Sequence, residues 1–214
     1  MAKKFIMPKT VKIGGLVYKV VYPYVFPDDG DALGIHCFSE GTLKITDIYR
    51  DKKRVNFSIH QTLLHEITHG IDFVYCGDSI ESDADIDRLA AGWYDVLAEN
   101  DLKLKKLGFF PKNVKVGGYK YTVEYPYKVV DSRHTYMVSF ESGLIKIYGN
   151  KPVSPYAEKH AFISALLYII RHHFSIDEPF NNGNGDSTLF SSLASGFHQV
   201  LIDNDIERII KSGK

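Results

Sequence analysis

The stretch His65-Glu66-Ile67-Thr68-His69 holds the residue types and spacing in this sequence best suited to chemistry. On a helix, residues four apart lie one turn apart on one face, so both imidazoles can reach a single ion at about 2.0–2.1 Å. The carboxylate between them points along a neighbouring face, where it can reach water on the metal instead of the metal itself. Metal-assisted hydrolysis needs this arrangement: zinc lowers the pKa of the water, and the carboxylate takes its proton. The expected cofactor is Zn2+, with His65 and His69 as ligands and Glu66 as the catalytic base.

A third ligand should come from the acidic stretch that follows, Glu81-Ser82-Asp83-Ala84-Asp85-Ile86-Asp87. Carboxylates in a first helical turn also complement the positive helix N-terminus, so not all of them need serve a metal. Asp83 and Asp87 are four apart and share a face, while Ile86, Leu89 and Ala90 share another. Asp83 is favoured, then Asp87, then Glu81. Asp72, three residues past His69, is expected as a supporting or solvent-facing carboxylate. Cys37 and Cys76 lack the Cys-x-x-Cys spacing of structural zinc sites and are expected to be free thiols in a reducing cytosol.

The motif needs a helix to carry it. Residues 56–75 place Ile59, Leu63, Ile67, Ile71 and Val74 on one stripe at steps of three and four. A second helix is predicted over residues 83–103, with Leu89, Trp93, Val96 and Leu97 facing inward. Before them, Val11–Ile13 and Val17–Tyr22 flank Gly14-Gly15 as a β-hairpin. Gly34–Phe38 and Thr42–Thr46 form a second hairpin across Glu40-Gly41.

The same order then recurs. PKTVKIGGLVYKVVYPY from Pro8 is echoed by PKNVKVGGYKYTVEYPY from Pro111, and Leu89-Ala90-Ala91-Gly92-Trp93 by Leu193-Ala194-Ser195-Gly196-Phe197. A period of this length exceeds solenoid repeats and indicates two copies of one unit, residues 1–107 and 108–214. Helices are expected over residues 157–174 and 187–211 of the second copy. The fold class is α+β, each unit a small antiparallel sheet followed by two helices. The second copy lacks the motif: Ser164, Ala165 and Leu166 stand in its helix, and Asn181-Asn182-Gly183 stand in place of the acidic turn. His172 and His173 are adjacent and diverge by about 100° on a helix, so they are expected, with His160 and His198, to be packing or surface residues.

The chain has 214 residues with 44% hydrophobic and 24% charged side chains, ordinary for a globular protein. Zero formal net charge argues against a nucleic-acid partner. Arg50, Lys52, Lys53 and Arg54 form a local basic run, expected as a solvated turn. No apolar run reaches the roughly 18 residues of a membrane span, and the N-terminus lacks the apolar core of a signal peptide.

The opening Pro-Lys-x-Val-Lys-Ile-Gly-Gly, with Leu63-Leu64-His65-Glu66-Ile67-Thr68-His69-Gly70-Ile71-Asp72-Phe73 and Asp87-Arg88-Leu89-Ala90-Ala91-Gly92-Trp93, resembles small phage and prophage proteins of Gram-positive bacteria. These carry a zincin-type minimal metallopeptidase domain and are distant relatives of the ImmA/IrrE-like family. The resemblance covers residues 8–103 and, without the metal residues, most of the second copy. It implies His65 and His69 as ligands, Glu66 as general base, an acidic third ligand from the next helix, and a cytoplasmic bacterial setting. Relatives usually carry Glu at that third position, where this chain offers Asp83. The resemblance implies a peptidase acting on a protein or peptide. The alternative is a non-catalytic, zinc-stabilised binding module that engages a host or phage regulatory protein.

Overall fold

The computed structural model describes residues 5–27, 31–106, 108–128, 135–149, 154–176 and 187–213. The predicted turn at residues 181–183 lies outside them. The mixed α+β class holds, with five α-helices and small sheets among the described residues.

The first half opens with β1 (Thr10–Ile13), β2 (Leu16–Val21), β3 (Gly34–Cys37) and β4 (Thr42–Ile45). Val11 and Ile13 alternate with exposed lysine and threonine, which buries one face of β1. Gly14 turns β1 into β2 with φ +60°, a conformation most other residues avoid. The sheet order is β1-β2-β4-β3. Both predicted hairpin pairs are antiparallel, but β2 and β4 run parallel, so the sheet is mixed and not the antiparallel one expected. The reason is topological: the chain crosses over after β2 and returns through β3, which inserts β4 between the two.

A short hairpin, β5 (Ile48–Tyr49) and β6 (Lys52–Lys53), leads to helix α1 (Asn56–Ile71). The predicted end at residue 75 is replaced by a π-helical turn over Asp72–Cys76, closed by Gly77 at φ +69°. Helix α2 (Asp83–Glu99) begins where expected and stops four residues early, at Asn100. The Asn100 amide binds both Lys115 backbone groups, drawing the chain out of the helix.

The second half repeats this with β7 (Asn113–Val116), β8 (Tyr119–Tyr127), β9 (Tyr136–Ser139) and β10 (Leu144–Tyr148), in the order β7-β8-β10-β9. Helix α3 (Pro155–His173) starts on Ser154, whose hydroxyl accepts from the Ala157 N–H. The single helix expected to residue 211 is two: α4 (Ser187–Asp203) and α5 (Ile206–Lys211), separated where Asp205 takes φ +56°.

The halves share one continuous apolar core, and their contacts come in matched pairs. The Asn204 amide binds both backbone groups of Lys12, as Asn100 binds Lys115. Gln199 accepts from the Gly14 N–H, and Asp95 from the Gly117 N–H, each at 2.8 Å. Gly92 of α2 lies against Ile170 of α3, and Gly196 of α4 against Ile71 of α1. The second helix of each half is thus fastened to the first hairpin and first long helix of the other.

Candidate metal centre

Helix α1 buries Ile59, Leu63, Leu64, Ile67 and Ile71 completely, which fixes its rotation. His65 and His69 consequently sit half-buried on the opposite edge, facing the start of α2. Their rings meet edge to face with Nε2 atoms 3.0 Å apart. Asp83 Oδ1 lies 3.1 Å from His69 Nε2 and 3.4 Å from His65 Nε2. His65, His69 and Asp83 form the only potential metal-holding group of three found among the described residues.

The donor set fits a small divalent cation. Ligand atoms at zinc bond lengths in a tetrahedral array stand about 3.3 Å apart, and the observed triangle comes within a few tenths of an ångström of that on each edge. Two ring nitrogens and a carboxylate oxygen can together hold a divalent cation. Asp83, the favoured third residue, completes the group of three that could hold an ion. Asp87 is not in the triangle: its Oδ1 accepts from His65 Nδ1 at 2.7 Å. That bond fixes the proton on Nδ1 and leaves the Nε2 lone pair facing the triangle. Glu81 is exposed and outside the group.

Glu66 sits beside the triangle and is almost fully buried, at 4% exposure. Burial pushes its carboxyl up to about 8, and Asp83 and Asp87 add to the rise, while the backbone N–H of His36 opposes it. A β-carbon on Gly34 would fall 2.4 Å from Glu66 Oε1, so the glycine leaves room for this carboxyl under the edge of the sheet. Gly34 was not anticipated as a site residue; a glycine inside a strand, marking a close approach, was the available signal.

Asp72 is neither solvent-facing nor part of the centre. It is buried and accepts from the backbone N–H groups of Ser79 and Ile80 at 3.2 and 3.1 Å, tying the α1–α2 connection to the end of α1. Cys37 and Cys76 are free and outside the donor group. Burial pushes the Cys76 thiol up to about 12, so it stays protonated.

His60 of α1 and Lys159 of α3 align the two halves. His60 Nε2 donates to the Ile6 carbonyl, and Lys159 Nζ to the carbonyl of Phe109, the repeat equivalent of Ile6. Setting α3 on α1 this way puts Ser164, Ala165 and Tyr168 at the positions of His65, Glu66 and His69. His173 binds the Tyr121 hydroxyl, His172 stacks on Phe140, and His160 packs against His198, all packing roles.

A cleft of about 510 Å³ opens on the centre, lined by His65, Glu66, Asp83 and Asp87 at one end and by Arg54 and Ser58 at the other. β4 is paired on both sides, so the sheet edge nearer the cleft is β3. No helix among the described residues is long and apolar enough to cross a membrane. The chain matches no protein-family model, no curated protein and no solved structure. What the centre can do therefore follows from its own donors.

Proposed function

We propose that this chain is a zinc-dependent metallopeptidase of the phage and prophage zincin type, acting on a protein or peptide in a bacterial cytoplasm. The observation that supports it is the triangle of His65, His69 and Asp83 donors with a buried carboxyl, Glu66, beside it. When bound, zinc supplies Lewis acidity, making water nucleophilic near neutral pH and polarising a carbonyl. The protein's own residues do the rest. Asp87 orients His65. Beside a bound cation the raised Glu66 carboxyl is drawn back down, and Glu66 then takes a proton at its carboxylate and can return it to a leaving amine. Its buried position keeps bulk water from competing for that proton. Among the described residues β3, Gly34–Cys37, has no strand partner on its outer edge, and the backbone groups there that Glu66 does not take can hold an extended peptide.

One observation favours the alternative of a binding module. The second half keeps the four-stranded sheet and two long helices without the donors and exposes Met137, Tyr168 and Tyr119, a surface suited to contact rather than catalysis.

Metal analysis with Glu66→Gln decides between them. We expect one zinc per chain in the wild type and in Glu66→Gln, and hydrolysis of an unfolded protein substrate by the wild type only. Loss of the base should lower the rate by about 10²–10⁴-fold. Equal hydrolysis by both proteins would discard the role of Glu66. Full zinc occupancy with no hydrolysis, alongside capture of a partner by both proteins, would favour the module.

A further inference from the structure

The cleft does not end at the metal centre. At its far end Leu33, Arg54 and Ser58 also line a second groove, which runs under the β5–β6 hairpin past Tyr49, Arg50, Lys52 and Lys53. The predicted solvated turn is thus a folded hairpin, with Ile48 opposite Lys53 and Tyr49 opposite Lys52. Its turn residues, Arg50 and Asp51, both adopt positive φ, at 47° and 61°. Neither is glycine, and the two-residue turn requires positive φ at both positions. The Arg54 N–H binds the Asp47 carbonyl at 2.7 Å and closes the hairpin base.

The Arg54 guanidinium turns inward and donates to neutral acceptors: the carbonyls of Leu33, Thr46 and Ser58 and the hydroxyls of Ser58 and Thr62. Asp47 acts on it only through space. Among the described residues no carboxylate pairs with Arg54, Lys52 or Lys53, whereas Arg50 is paired with Asp31. Among the described residues the groove therefore presents two exposed lysines without ion-pair partners, beside an arginine already held by neutral acceptors.

We infer that this basic groove recognises an acidic side chain of a polypeptide whose neighbouring segment lies at the His65–His69 centre. The inference rests on the cleft being the substrate channel of the proposed peptidase. The cleft is polarised: Glu66, Asp83 and Asp87 crowd the metal end, and cations crowd the other. With a cation bound, the metal end is close to neutral, since two positive charges face Asp83, Asp87 and Glu66, so it offers no positive field to a run of phosphates. A polypeptide with a glutamate or aspartate a few residues from the bond at the centre matches both ends.

The test uses full-length, zinc-loaded Glu66→Gln protein and fluorescent peptides of about ten residues that differ only by Glu or Gln at each position in turn. For one register of positions, we expect the Glu peptide to bind about fivefold more tightly than its Gln partner, from a few partly exposed charge pairs. Added salt should erode the preference, and Lys52→Glu/Lys53→Glu should abolish it. Lys52→Gln/Lys53→Gln should weaken it, in case charge reversal disturbs the hairpin. Equal affinities, no binding at all, a preference that survives both double variants, or equal competition by a single-stranded oligonucleotide would each overturn the inference. Parallel cleavage by the wild type separates the two ideas. Hydrolysis of Glu and Gln peptides alike leaves the peptidase standing without the acidic preference. Selective binding without hydrolysis leaves the preference without the peptidase.

Discussion

Asp87 decides which nitrogen of His65 is left for a cation, although it contributes no donor to the triangle. Asp87→Asn keeps the shape but weakens the hydrogen bond that fixes the ring, so zinc affinity should fall about 10–100-fold. Competition with a chelating dye would measure this, and an unchanged affinity would show that the ring is held by packing alone. Lys159 is a residue of a different kind. It is wholly buried between Phe110 and Phe162, and burial pulls its ammonium down to about 8 from an ordinary 10.5. Below pH 8 the folded protein carries a desolvated charge that the unfolded chain carries in water. Between 8 and 10.5 the unfolded chain binds the proton and the folded one does not, so stability should rise with pH across that window. Denaturant midpoints at pH 7 and pH 9.5 would test this: the wild type should gain more stability over that span than Lys159→Met, because the raised Glu66 and Cys76 groups pull the other way in both proteins. An equal change in the two proteins would assign the effect to other groups.

At the scale of elements, the helix carrying the metal motif was the most legible part of the sequence. Its apolar stripe fixes the helix rotation, and the i, i+4 histidines then have one face left to occupy. The two hairpins of the first half were equally legible, because Gly14 and Gly41 mark their turns with positive φ. The parallel pairing of β2 with β4 was not, since neighbouring strands in space need not be neighbours in sequence. The roles of Asp72 and Arg54 were also hidden: both depend on backbone groups brought near only by folding. Gly92 and Gly196 repeat in sequence for a reason seen only in the packing. A β-carbon on either would fall 2.3–2.4 Å from Cγ2 of Ile170 or Ile71, both fully buried. Alanine favours a helix over glycine by about 1 kcal/mol. Overpacking a tight helix crossing costs about 1–3 kcal/mol, and a stiff β-branched neighbour puts these sites toward the upper end. Gly92→Ala and Gly196→Ala should therefore each destabilise by about 1–2 kcal/mol in chemical denaturation. A gain in stability would mean that the helices can slide apart.

For the whole molecule, the sequence repeat and the packing carry different implications about independence. Each repeat has the length of an ordinary domain, enough in principle to fold alone. Yet Trp93 of the first half packs on Phe197 of the second, with ring centroids 5.0 Å apart, and both are buried. Asn204 holds Lys12, Asn100 holds Lys115, and Ile71 is covered by Gly196. Cutting the chain near residue 107 would expose Trp93 and Ile71 on one piece, Phe197 and Ile170 on the other, and leave both first hairpins without their amide clamps. Residues 1–107 carry every donor of the metal centre but lose the surface that steadies α1 and α2 against each other. We expect residues 1–107 and 108–214, made separately, to unfold without a sharp transition, and residues 1–107 to bind zinc more weakly than the full chain. Mixed in equal amounts, the two pieces should restore both the cooperative transition and the tight zinc site, because the matched contacts reform between chains as they do within one. A sharp melt of residues 1–107 alone, near that of the full chain, would show instead that the donor-free half is dispensable for the centre and is kept for some contact of its own.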